Sequence, residues 1–233
     1  LSDKAGSALF AAVDSEGKIL WSWHIWKPKE ALESFTTKTG YDIASLNIGA
    51  LDSNPGSVDS YGMFYQWGRK DPFPAGPTLT GDTSTMPVDL YDMDGEVVKV
   101  SYSSWGSNSS NNLEYSIANP TVVLAGYPLP GSYQDWLKDE NNSLWGNPDG
   151  NVRNDENEYP NKGSKSCYDP CPVGWRVPPV DVLRTATPSG GYDVDESQFD
   201  VDGEFNYGYY MNMAEGSSYF PASSRYFGQY GML

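Results

Sequence analysis

Histidine is nearly absent from this chain: His24 is the only one among 233 residues, and cysteine is limited to Cys167 and Cys171. A structural zinc held by the usual four Cys and His ligands therefore cannot be assembled. A serine triad would have to use His24 as its base, and the place of His24 between Trp23 and Ile25 in a strand-like run points instead to a packed or solvent-facing imidazole. Basic residues are also scarce, 15 against 31 acidic ones, for a net charge of -16. Such a field repels phosphate backbones and anionic headgroups, which argues against nucleic acid and membrane surfaces as partners. No apolar run approaches the roughly 18 residues needed to span a bilayer, so no transmembrane segment is expected. The chain starts at Leu1 without a basic-apolar leader, and the expectation is a processed or excised part of a larger secreted protein.

What is present is glycine, proline and aromatic surface: 24 Gly, 17 Pro, 17 Tyr and 8 Trp, a composition of strands and ordered loops rather than long helices. An apolar run over 8–13, turn residues Asp14-Ser15-Glu16-Gly17 and alternation over 18–26 predict a β-hairpin. In its second strand Ile19, Trp21, Trp23 and Ile25 share one face and are expected in the core; Leu20, Ser22, His24 and Trp26 share the other. A short strand is expected within 43–51, from the alternation of Leu46, Ile48 and Ala50, followed by a turn at Pro55-Gly56. Met63, Phe64 and Trp67 have helical spacing, and with Gly68 placed to end it a helix is predicted over 61–70. Residues 71–161 read as a long, irregular but ordered insertion, with a strand over 96–102 after the turn Asp92-Met93-Asp94-Gly95 and an amphipathic segment near 133–137. A second short helix is predicted over 180–186, and aromatic strands over 205–213 and 218–227.

Three blocks carry a family resemblance. They are Leu46-Asn47-Ile48-Gly49-Ala50-Leu51 leading into Tyr61-Gly62-Met63-Phe64-Tyr65-Gln66-Trp67-Gly68-Arg69; Tyr168-Asp169-Pro170-Cys171-Pro172-Val173-Gly174-Trp175-Arg176-Val177-Pro178; and Tyr219-Phe220-Pro221-Ala222-Ser223. In this order they resemble the Fibrobacter succinogenes major paralogous domain and the related C-terminal domains of Bacteroides fimbrillin-type surface lipoproteins. The resemblance implies one domain of α+β class with a C-type lectin-like fold: two short helices, small antiparallel sheets and long ordered loops. It also implies export to the bacterial cell surface, anchored at the outer membrane or associated with fimbriae, and a role in adhesion or glycan contact. Two departures stand out. The chain ends at Leu233 where the family continues with a further strand pair, and the E-P-N or Q-P-D triplet of calcium-dependent lectins has no counterpart, Asn147-Pro148-Asp149 being read as a turn.

The candidate sites follow from residue chemistry. Trp26, Trp105 and Trp145 are the tryptophans expected outside the core and available to stack on a sugar. Asp193, Asp195, Glu196, Asp200 and Asp202 crowd one loop that fails the EF-hand spacing; it reads as solvated surface, with calcium as the alternative and the one cofactor considered. Cys167 and Cys171 either close a small disulfide or stay as thiols, and they are read as structural although formylglycine-generating enzymes use a reactive cysteine pair. The expected function is non-enzymatic adhesion to a glycan or host surface protein through the 71–161 segment and the acidic loop. The alternatives are a fimbrial subunit completed by strand addition to other pilus proteins, and, less favoured, an enzyme of formylglycine-generating or glycoside hydrolase type.

Overall fold

The computed structural model describes residues 3–74, 88–103, 111–124, 136–137, 141, 143–146, 165–178, 182 and 199–223. The predicted hairpin forms as β1 (Gly6–Val13) and β2 (Ile19–Lys27), antiparallel with Phe10 opposite Trp23. Asp14 builds the turn, its Oδ1 accepting the N–H groups of Glu16 and Lys18 at 2.9 Å. Further on come β3 (Ser34–Thr36) and β4 (Asp42–Ala44), paired with each other, then β5 (Met63–Phe64) and β6 (Phe73–Pro74), also paired. β7 (Leu90–Tyr91) adds to β1 in parallel, and β8 (Ser101–Ser103) pairs in parallel with β9 (Val122–Leu124), which follows helix α1 (Asn112–Ala118). The described part ends in a meander of β10 (Val201–Asp202), β11 (Gly208–Asn212) and β12 (Ser217–Pro221), where two aromatic strands were expected.

This architecture corrects the expected α+β, C-type lectin-like arrangement. The described residues form strands in small sheets with one α-helix, and two of the strand pairs are parallel. The helix predicted over 61–70 does not form, because Gly62 and Gly68 both sit in the left-handed region at φ 79° and 84° and leave too few residues between them for a helix to nucleate. Gly62 is held there by crowding: a Cβ would lie 2.7 Å from the Ile48 carbonyl oxygen. Met63 and Phe64 pair as β5 instead. The helix predicted over 180–186 lies outside the described residues except Val182, which is buried. Within 43–51 the alternation marks burial rather than strand: Leu46 and Ala50 are buried, while only the first residues pair, as β4.

The face assignment of β2 holds at its start, where Ile19 and Trp21 are half-buried and Leu20 is exposed, and is inverted from Ser22 onward. Trp23 and Ile25 are 51% and 44% exposed, whereas Ser22 is buried and His24 and Trp26 turn inward with it. The cause is what lies beneath the strand. The buried run Arg69-Lys70-Asp71 brings charge inside, and the Lys70 ammonium there requires acceptors, which the side chains of Trp23 and Ile25 do not offer and the Ser22 hydroxyl does. Ser22 Oγ donates to Asp71 Oδ1 at 2.5 Å; Lys70 Nζ donates to Asp71 Oδ1 at 2.7 Å and to the Ser22 carbonyl at 3.2 Å. His24 Nδ1 lies 2.8 Å from the Tyr65 hydroxyl, and Trp26 Nε1 donates to the Ala50 carbonyl at 2.7 Å.

Described parts of the 71–161 segment belong to the core rather than to an appended loop. Val88 and Leu90 close one cluster with Leu9 and Met63; Leu124, Trp136, Leu137 and Leu144 make a second. Arg69 lies beside the second cluster: its guanidinium donates to the carbonyls of Val122 at 2.6 Å and of Asn119 at 3.3 Å, capping the C-terminal end of α1, and stands 5.8 Å from the Trp136 ring centre and 5.0 Å from that of Phe73.

The enclosed His24 yields a pH prediction. Burial lowers its pKa from 6.5 to about 4, so as pH falls the unfolded chain takes up the proton before the folded one does. This part of the stability is complete above the unfolded value and is lost as pH drops toward 4, amounting to about 2 kcal/mol between pH 7 and pH 5. Urea unfolding at the two pH values should show that difference, and His24→Gln should remove it.

Candidate functional site

Between the segment leading into β3 and one face of the β11–β12 hairpin lies a groove of about 200 Å³, lined by Glu30, Glu33, Phe35, Tyr210 and Tyr219 with Ser45, Ser53 and Ser217 among the polar positions. Tyr210 and Tyr219 are cross-strand partners and so share a face, with ring centres 5.4 Å apart. Tyr219 is buried and fixed, its hydroxyl donating to the Asn206 carbonyl at 2.8 Å, and burial raises its pKa; Tyr210 is 38% exposed and presents its ring. The turn before β11 is strained: Tyr207 has a positive φ of 51°, and a Cβ on the next residue, Gly208, would strike the Phe220 carbonyl oxygen at 2.3 Å.

The carboxylates of the groove are differently placed. Glu30 Oε1 accepts from the backbone N–H and the hydroxyl of Ser53, at 2.9 and 2.8 Å. Glu33 is exposed and makes no ion pair among the described residues. The nearest lysine in sequence, Lys29, is engaged elsewhere, 2.9 Å from Asp52 and 2.5 Å from Asp59, and hydrogen bonds to Asp59 and then Asp52 raise its pKa. The groove therefore combines an aromatic wall, hydroxyls and negative charge with no ion-pair partner for Glu30 or Glu33 among the described residues.

The residues singled out in the sequence fall elsewhere. Trp26 is half-buried with its N–H on Ala50, and Trp145 is half-buried with its N–H on the Arg69 carbonyl at 3.0 Å and its ring 4.6 Å from that of Trp67. Trp105 and the acidic residues Asp193, Asp195 and Glu196 lie outside the described residues. Asp200 accepts from Lys38 and, at 2.9 Å, from Asn212 Nδ2, contacts that lower its pKa in that order, and Asp202 sits in β10. Among the described residues no group of three or more His, Cys, Asp or Glu side chains is placed to hold a metal ion. Cys167 and Cys171 are not joined; Cys167 is exposed, and burial followed by the neighbouring Asp169 charge pushes the Cys171 thiol up to about 12, which keeps it protonated and poorly nucleophilic.

Ser22, Lys70 and Asp71 have the groups of a nucleophilic serine site, but all three are buried and serve one another, leaving Ser22 Oγ out of reach of a substrate. No family model, curated protein or solved structure matches the chain. Its chemistry is read from its own residues. Glu30 and Glu33 were missed because the polar stretch after β2 has no hydrophobic period; the one available signal was the aromatic run Phe205-Asn206-Tyr207-Gly208-Tyr209-Tyr210, read as strand without a face.

Proposed function

We propose that this chain is a non-enzymatic binding module of a bacterial cell surface that holds a glycan in the groove between β3 and β11–β12. The observation that carries this reading is the lining of that groove: an exposed tyrosine ring beside carboxylates and serines is the mixture of apolar face and hydrogen-bonding groups that a sugar ring requires. A binding rather than catalytic role is supported by the buried state of the Ser22–Lys70–Asp71 group and the protonated Cys171 thiol. The surface location rests on the resemblance of the three motif blocks to the Fibrobacter succinogenes major paralogous domain.

A glycan-array screen of the purified chain, in calcium and again in chelator, tests the proposal. Saturable binding to a defined sugar is expected, with Tyr210→Ala weakening it by about five- to tenfold, the worth of one aromatic contact. Trp23→Ala, on the outward face of β2, should leave it unchanged. Loss of binding in chelator would move the site to the 193–204 loop, and absence of binding to every sugar would refute the glycan reading.

A further inference from the structure

The groove has a charge preference that its general reading as a sugar site does not specify. Among the described residues two carboxylates line it and no lysine or arginine does, and the serines supply no positive charge. Among the described residues Glu30 commits one oxygen to Ser53 and has no hydrogen bond at the other, and Glu33 has no ion pair. The two lysines that flank this stretch in sequence are drawn away from it: Lys29 bridges Asp52 and Asp59, and Lys38 is held by Asp200. Phe35 and Tyr210 add ring faces, whose negative quadrupole attracts cations. The whole chain, at -16, reinforces the same sign.

We infer that the groove selects a sugar bearing a free, protonated amine, a de-N-acetylated hexosamine, over neutral, N-acetylated or acidic sugars. This rests on the glycan reading above and narrows it to one class. The ammonium donates to Glu33 and the free oxygen of Glu30, and the pyranose ring lies on Tyr210. N-acetylation removes the charge and enlarges the group, and a carboxylated sugar meets like charge.

Isothermal titration calorimetry of the intact chain at low ionic strength tests this, using a β-1,4-linked glucosamine tetramer, its N-acetylated counterpart, a glucose tetramer and a lysine-rich peptide. The glucosamine tetramer should bind about tenfold or more tighter than the N-acetylated one, as expected for one charge-assisted hydrogen bond. Glu33→Gln, at an exposed position with an unchanged melting temperature as its control, should reduce that preference to about twofold or less, as should raising the salt. Equal affinity for all three sugars would overturn the amine preference and leave the glycan reading standing. Binding to none of them would overturn both, and binding to the lysine-rich peptide alone would overturn both in favour of a protein ligand for the same carboxylates.

Discussion

Arg69→Ala is expected to cost about 3–5 kcal/mol of folding stability, the loss typical of breaking a buried charged contact, and to lower the melting temperature by about 10 °C or more. The Arg69 side chain is 0% exposed, and its guanidinium donates to Gln66 Oε1 at 3.0 Å and to the carbonyls of Ser116, Asn119, Pro120 and Val122, with Asp71 Oδ2 at 3.9 Å. Alanine would take the donor from the Ser116 and Pro120 carbonyls, leave the Asn119 carbonyl only the Val122 N–H at 3.2 Å, and open a void between Phe73 and Trp136, which flank the guanidinium. Burial lowers the Arg69 pKa to about 10, with the Asp71 charge opposing, so the group stays charged at neutral pH. Arg69→Lys should recover only about a third of the loss, because a single ammonium cannot reach acceptors spread around a planar fork. Hydrogen exchange in α1 and β9 should accelerate most; a loss under about 1 kcal/mol, or uniform exchange, would show that the second core holds the segment without Arg69.

The second large effect is expected at Asp169. Its side chain is 0% exposed, Oδ1 accepts from Lys165 Nζ and from the Cys171 N–H, and Oδ2 accepts from the Val177 N–H, all at 2.9 Å. One carboxylate thus folds the Cys171-Pro172-Val173-Gly174-Trp175-Arg176-Val177 loop back on itself, where proline leaves few backbone donors to do so. Asp169→Ala should cost about 2–4 kcal/mol, since two backbone donors lose their partners, with the half-exposed Lys165 ion pair adding little. Asp169→Asn keeps one acceptor and should lose about half as much. Chemical denaturation checks both, and equal effects of the two would assign the energy to the charge rather than to the loop hydrogen bonds.

The parts of the fold legible in the sequence are those set by neighbours along the chain. Asp14 and Asp92 sit at the start of turns whose closing glycines, Gly17 and Gly95, were readable, and in both the carboxylate oxygen accepts from the residues two and four positions on. The aromatic strands around Tyr209 and Tyr219 followed from β-branched-free but ring-rich alternation. The 61–70 segment was misread because Met63, Phe64 and Trp67 fit a helical period that two left-handed glycines override. Helix α1 was missed because Asn112-Leu113-Glu114-Tyr115-Ser116-Ile117-Ala118 is too short to show a period, and its last turn is completed by Arg69 from outside.

The candidate site was hidden for a related reason. Glu30 and Glu33 are far from Tyr210 in the chain, and only packing of the β3–β4 hairpin against β11–β12, through the Ala214 N–H on the Thr36 carbonyl at 2.9 Å and the Lys38–Asp200 pair, brings them to one groove. By itself the sequence determined the acidic character, the scarcity of histidine and cysteine, the hairpin turns and the aromatic strands, because these depend on composition and on residues within a few positions of one another. Tertiary structure alone decided which face of β2 is inside from Ser22 onward, where the lysines place their charge and which carboxylates have no ion pair among the described residues, because Lys70 and Asp71, although bonded to each other, need further partners when buried and find them in Ser22, distant in the chain.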